Sequence, residues 1–305
     1  WSKFQKRFNV KYIGEYYGST EGNCNMFNGR GWNKTNSVGF IPPLFRSKMP
    51  TAVLQYDVEK DEIIRNKKTG LCTRLEPGGI GQIVGLIYDG KKEEIVRRKS
   101  FQGYHANEKA SNSKIISNVF VKGDKWFLSG DLLKSDKAGY HYFVDRVGDT
   151  FRWKGENVAT NEVQEVITGV PGVVDVNVYG VKISELYGAG KAGIATISVD
   201  VEDIDDLLEG EKIDGVQFTF KSLYKCLEKD LPVYARPVFV RVTKTMDVTA
   251  TFKNRKVDLA KEGFDIRNTA PKSKDVVFIV DNKNRTYVPL DDQTIADLKL
   301  GKVKL

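Results

Sequence analysis

Val174, Val176 and Val178 alternate with polar residues, and that period of two predicts a strand over 173–181. The same reading gives strands over 192–199 and 237–243. It also gives helices over 160–169 and 218–229. Thr160 stands where an N-cap belongs, ahead of inward-facing Val163, Val166 and Ile167, and Gly169 and Pro171 end that helix. The result is a compact α+β module of strand–helix–strand–strand–helix–strand. Upstream the pattern differs. A short strand over 11–17 leads to Gly18, and residues 51–103 read as short strands between Gly-rich turns. One such turn, Pro77-Gly78-Gly79-Ile80-Gly81, precedes the apolar run 83–87. Weak helical periodicity covers 107–121. Strands over 126–134 and 140–147 then close a hairpin around Asp136-Lys137-Ala138-Gly139. The boundary between the two patterns falls at 146–149.

A length of 305 residues suits two domains, and 40% hydrophobic residues can fill their cores. The net charge of +8 is compatible with an anionic membrane surface or an anionic small substrate. The 48 basic residues are interleaved with 40 acidic ones and form no long run, so nucleic acid is disfavoured as a partner. Cys24, Cys72 and Cys226 lie far apart, with only His105 and His141 besides. That disfavours a zinc site and a disulfide framework, and fits a reducing compartment. No apolar run reaches membrane-span length and no signal peptide opens the chain. Its start at Trp1 reads as the interior of a longer protein, of which this is the carboxy-terminal part.

Four segments carry candidate chemistry. Tyr17-Gly18-Ser19-Thr20-Glu21 follows a strand. Its aromatic can stack a purine, Thr20 can hydrogen-bond a phosphate and Glu21 can hold a magnesium ion. Taken alone, the segment reads more simply as a polar turn with Glu21 solvated. Asp131 and Arg146 lie on the two strands of one hairpin. With Ser135 opposite Tyr140, Ser129 would face Arg146 and Asp131 would sit diagonal to it on the same face. Such a pair can share the hydroxyls of a ribose, or be a cross-strand ion pair contributing about 0–1 kcal/mol. The segment 145–158, DRVGDTFRWKGENV, combines charges with two glycines, as a backbone approaching a polyanion would. Lys253, in Thr-Ala-Thr-Phe-Lys, can stabilise charge developing during acyl transfer, or be a solvated surface lysine. By contrast, Gly188-Ala189-Gly190-Lys191-Ala192-Gly193 matches the dinucleotide fingerprint but lies between two predicted strands. It reads as a hairpin loop.

In their order and spacing, these segments resemble the adenylate-forming superfamily of acyl-CoA synthetases. GDTFRWKGENVATNEV, LPVYARPVFVRV and VTATFKNRKVDLAKEGFD resemble most closely the fatty acid transport protein and very-long-chain acyl-CoA synthetase family. The resemblance implies an α/β and α+β fold. Residues 1–146 would be the carboxy-terminal part of a large AMP-binding domain with a β-rich subdomain, and 147–305 a mobile small domain with an extension. It implies a long- or very-long-chain fatty acid, ATP, Mg2+ and coenzyme A. A fatty acid carboxylate would attack ATP to give an acyl-adenylate, and coenzyme A would then displace AMP. Tyr17 and Gly18 would flank the adenine, Thr20 the phosphate and Glu21 the magnesium. Asp131 and Arg146 would hold the ribose and Lys253 would serve adenylation. Lys154 and Gly155, with Glu156, would serve thioester formation after the small domain rotates. Where many members carry aspartate or lysine at the hinge, this chain has Gly148. It also lacks the Ser/Thr/Gly-rich phosphate loop, so activity of these residues alone is not expected. A lipid-trapping transport protein with a secondary nucleotide site is the alternative, and an aryl- or amino-acid-adenylating enzyme fits the motifs less well. Val303-Lys304-Leu305 partly resembles a peroxisomal address, within a broader expectation of an intracellular membrane location.

Overall fold

The structure is a computed structural model. It describes residues 1–19, 21, 24–29, 34–58, 60–88, 101–188, 190–201, 204, 207, 217–244, 246, 256–270 and 273–305. The chain divides into two compact units, Trp1–Val147 and Gly148–Leu305.

In the first unit, helix α1 (Ser2–Phe8) precedes an antiparallel pair, β1 (Glu15–Gly18) and β2 (Asn25–Asn28). The main sheet comprises β3 (Gly39–Phe40), β4 (Thr51–Asp57), β5 (Glu62–Ile63), β6 (Ile80–Ile87), β7 (Ile115–Ser117), β8 (Lys125–Ser135) and β9 (Tyr140–Arg146). Its order is β3-β9-β8-β6-β4-β5, with β7 also on β8, and its named pairings are antiparallel. Successive residues enter different cores. Val53, Ile83 and Phe127 pack with Met26 and Leu133, whereas Leu54, Val84 and Trp126 pack with Cys72 and Val119. A sheet covered on both faces needs apolar residues at both parities, which is why these strands read as runs rather than alternations.

The helix expected over 107–121 is a six-residue helix, α2 (Glu108–Ser113), followed by β7. Asn107 caps α2 through its side chain. The β-branched pair Ile115-Ile116 then takes the place opposite Phe127 and Trp126, a long-range pairing that overrides weak local periodicity.

The second unit opens with the hairpin β10 (Phe151–Trp153) and β11 (Glu156–Val158). Helix α3 (Thr160–Thr168), β12 (Val173–Val181), β13 (Ala192–Val199), α4 (Phe220–Asp230) and β14 (Phe239–Thr243) follow. Beyond the expected module come α5 (Lys256–Glu262), α6 (Ile266–Thr269), β15 (Val276–Asp281), β16 (Thr286–Pro289) and α7 (Asp292–Lys299). The sheet runs β12-β13-β14-β15-β16, with only β13 and β14 parallel. Strands β13 and β14 are buried along their whole length and carry the core. The Gly188–Gly193 stretch joins antiparallel strands β12 and β13, so it is a hairpin connection and does not open a helix. Thr160 is the first helical residue rather than the cap, a position held by Ala159. Its buried hydroxyl instead accepts a hydrogen bond from Lys256 Nζ at 2.7 Å.

Candidate active site

The site in the first unit begins with strand β1. Alternation turns Tyr16 outward and Tyr17 inward, where Tyr17 pairs with core residue Met26. Gly18 follows in close quarters: a Cβ there would lie 2.8 Å from the Tyr16 ring and 3.0 Å from Asn25 Oδ1. The Tyr17 hydroxyl donates to Asp131 Oδ2 at 2.5 Å, across 114 residues of sequence. Burial pushes the Tyr17 phenol up, and the neighbouring Asp131 carboxylate pushes it further, so Tyr17 keeps its proton and remains the donor.

Asp131 is set by the backbone around it. Gly130 takes φ of +85°, and its carbonyl accepts from the Val147 amide at 2.8 Å. The Asp131 amide donates to Ser129 Oγ at 3.0 Å, and the Ser129 hydroxyl donates to the Ile83 carbonyl at 2.8 Å. Asp131 pairs directly opposite Arg146, which corrects the expected diagonal relation, and Ser135 faces His141 rather than Tyr140. Arg146 Nε lies 3.8 Å from Asp131 Oδ1, and Arg146 is exposed. A carboxylate tethered on one oxygen, beside a guanidinium that is near but not hydrogen-bonded through that atom, can accept a vicinal diol at small cost. Exposed ion pairs contribute about 0–1 kcal/mol.

Glu21 belongs to the same neighbourhood. The Tyr104 hydroxyl donates to Glu21 Oε1 at 2.7 Å, and burial, then this bond, push the Tyr104 phenol up to about 12. Burial also raises the Cys24 thiol, and it feels both Asp131 and Glu21. Tyr104 was not singled out by sequence, and nothing local to it, 83 residues from Glu21, could have marked it. Asp145, which opens the charged segment 145–158 but was given no role of its own, is fully buried and its Oδ1 accepts the Arg146 amide at 2.9 Å. Among the described residues no cluster of three or more His, Cys, Asp or Glu could hold a metal ion. Glu21 therefore fits magnesium only as a single carboxylate, which suits an ion completed by phosphate oxygens and water.

In the second unit, Lys154 and Gly155 both take positive φ (51° and 86°) and close the β10–β11 hairpin as a two-residue mirror-image turn. Lys154 Nζ donates to the Leu305 carbonyl at 2.7 Å. Lys256, at the start of α5, lies 3.2 Å from Asp149 Oδ2 in addition to its bond to Thr160. Thr20 and Lys253 lie outside the described residues.

No family model matches the chain. Long-chain fatty acid transport protein 1 of Mus musculus is 40% identical over all 305 residues, which span 43% of that protein. The chain thus covers less than half the length of the curated relatives it matches. A crystal structure of an anthranilate CoA ligase in complex with anthranoyl-AMP matches with a TM-score of 0.59 at 18% identity, over 86% of this chain and 42% of that one. ATP-bound MatB from Rhodopseudomonas palustris matches with a TM-score of 0.54 at 23% identity, over 83% and 41%. At these identities the likeness is one of fold, that of adenylate-forming enzymes. By sequence, the chain belongs to the family of long-chain fatty acid transport proteins.

Proposed function

We propose that this chain supplies part of the active site of an ATP-dependent ligase that converts long- or very-long-chain fatty acids to acyl-CoA. The convergence of Tyr17, Asp131 and Arg146 carries this reading. The adenine would lie against Tyr17 and Gly18, and the ribose hydroxyls would bridge Asp131 and Arg146. The fatty acid carboxylate attacks the α-phosphorus of ATP, and pyrophosphate leaves with the electron pair of the broken P–O bond. Lys253 stabilises the charge that builds on the α-phosphate, and Thr20 hydrogen-bonds a phosphate oxygen. Glu21 would hold magnesium, which neutralises phosphate charge when bound. The coenzyme A thiol then attacks the acyl carbonyl and AMP departs, with the Lys154-Gly155 turn replacing Lys253 after the second unit turns about Gly148.

The 305 residues contain no Ser/Thr/Gly-rich phosphate loop, so the chain alone should bind nucleotide without catalysing ATP–pyrophosphate exchange. The test is an NMR titration of the chain with AMP. Binding should weaken about tenfold or more in Asp131→Ala, because hydrogen bonds to a charged group contribute about 1.5–3 kcal/mol each. Absence of AMP binding, or an unaltered affinity in that variant, overturns the reading.

The relatives' designation as fatty acid transport proteins favours a second reading, in which uptake of fatty acids is primary and ligation secondary. In the full-length protein, loss of acyl-adenylate formation in Lys253→Ala with uptake retained would support it. Membrane association of the whole protein is part of both readings. Among the described residues no helix is long and apolar enough to cross a membrane.

A further inference from the structure

The first unit holds a cavity of about 80 Å³ that none of Tyr17, Asp131 or Arg146 lines. Arg46, Arg74, Lys137, Thr51, Ser135 and His141 contribute to its wall. The charge is lopsided. Neither Arg46 nor Arg74 has an ion-pair partner among the described residues, and burial, then the charge of Arg46, push the Arg74 guanidinium down. Arg74 is held in place by stacking, its guanidinium carbon 3.7 Å from the centre of the Phe120 ring. The one acid among the described residues of the wall, Asp136, is already engaged. Its Oδ2 accepts from Lys34 at 2.6 Å and from Tyr142 at 3.1 Å, and its Oδ1 accepts the amides of Ala138, Gly139 and Tyr140. Two guanidinium groups that feel each other's charge repel unless an anion joins them. The cavity also has an unused polar group. His141 lines it at 7% exposure, and its buried Nδ1 has no hydrogen-bond partner among the described residues, an arrangement that costs free energy.

The rim points to the source of that anion. Residues Pro43–Phe45 form one 3-10 turn directly ahead of Arg46, and in it Leu44 is 85% exposed and Phe45 52% exposed. Two prolines, Pro42 and Pro43, stiffen the turn, and exposed Lys48 follows it. Bare apolar side chains flanked by basic residues are the composition of an interfacial anchor: the apolar pair enters the acyl boundary while the cations meet headgroups. We propose that the cavity between Arg46, Arg74 and His141 binds the phosphate of an anionic phospholipid, with Leu44 and Phe45 inserted beside it. The room suits one tetrahedral oxyanion, not a nucleotide. The proposal does not depend on the nucleotide reading, and either can fail without the other.

The test uses the 305-residue chain and two probes. Cosedimentation compares phosphatidylcholine vesicles with vesicles in which about one lipid in five is phosphatidic acid. NMR follows the His141 ring during titration with glycerol 3-phosphate. The Arg46→Gln/Arg74→Gln pair should lower partition onto the anionic vesicles about tenfold or more. The Lys221→Gln/Lys225→Gln pair removes the same net charge from exposed positions on α4 and should lower it much less. Leu44→Ser/Phe45→Ser should lose vesicle binding and keep the glycerol 3-phosphate response, and thermal unfolding confirms that each variant is folded. Equal losses in the two charge-removing pairs, or no response of His141 to glycerol 3-phosphate, would overturn the site. A phosphate response with vesicle binding indifferent to Leu44 and Phe45 would overturn the lipid as its occupant.

Discussion

Arg241 is the most exacting test of the second unit. It sits on the central strand β14 with its side chain 5% exposed, and its Nη1 lies 2.5 Å from Glu262 Oε2 on α5. Both Nη2 and Nε lie 2.6 Å from Asp275 Oδ2, ahead of β15. One guanidinium therefore ties a helix and an added strand to the centre of the sheet. Arg241→Met keeps an apolar stem of similar length and leaves two carboxylates without their cation. Removing one partner of a buried ion pair costs about 3–5 kcal/mol. Glu262 is 30% exposed and can be rehydrated, whereas Asp275 is 13% exposed and cannot be so readily, which places the loss near the lower end, about 3 kcal/mol. For a unit of this size that is a drop of about 6–12 °C in its unfolding midpoint. Urea and thermal unfolding measure it, with amide exchange separating the transition of the second unit from that of the first. Adding Glu262→Gln and Asp275→Asn to Arg241→Met should recover much of the loss, because the stranded charges are then gone. A loss below about 1 kcal/mol would refute the reasoning, since it would mean that the carboxylates are solvated with or without Arg241.

Two further outcomes follow from buried groups. Burial, only partly opposed by the Gly139 carbonyl and Asp136, pushes His141 down to about 4, from 6.5 in the unfolded chain. Between pH 6.5 and 4 the unfolded chain binds a proton that the folded one refuses, so the first unit loses up to about 3 kcal/mol as pH falls through that window. His141→Asn should flatten this slope in urea midpoints measured across the window, and an unchanged slope would contradict the burial argument. Lys256→Met breaks the contacts to Asp149 and to the buried Thr160 hydroxyl, and should cost about 2 kcal/mol. Because α5 starts three residues after Lys253, the same change in the full-length protein should slow acyl-adenylate formation about tenfold. Thioester formation from supplied acyl-adenylate should be spared and Lys256→Arg should restore the rate; equal slowing of both steps would reduce Lys256 to a structural role.

The hairpin carrying Asp131 and Arg146 was legible because its turn is. Asp136 accepts three amides and Gly139 takes φ of +100°, chemistry that a sequence displays openly. The register was not. The turn is one residue longer than expected, which sets Ser135 opposite His141, and Val144 is then an extra residue on β9 between Leu133–Phe143 and Leu132–Asp145. Each departure moves the partner by one, and together they bring Arg146 directly opposite Asp131. A bulge is set by what the two strands must pack against, so hydrophobic alternation does not record it. The pair β1–β2 and the Glu21–Tyr104 bond escaped for the same reason: their meaning lies in partners distant in the chain. Strands β15 and β16 are a different case. The apolar, mostly β-branched run at 276–280 that forms β15 is as strong a signal as that of β13, and what sequence does not give is the edge of β14 that receives it.

Local tethers on either side of Gly148 bear on the rotation proposed for the second unit. The Val147 amide is tied to the Gly130 carbonyl at 2.8 Å, so the backbone that carries Arg146 is anchored to the strand that carries Asp131. Two residues later Asp149 is held by Lys256 at 3.2 Å. Gly148 alone lies between these two anchors. A Cβ there would meet nothing within 4 Å, so crowding does not demand glycine at this position; the backbone angle of +85° does. A torsion change confined to Gly148 therefore leaves Arg146 opposite Asp131 and Lys256 on Asp149. The ribose contacts and the mooring of α5 would both survive such a turn, and neither would have to be remade between the two half-reactions.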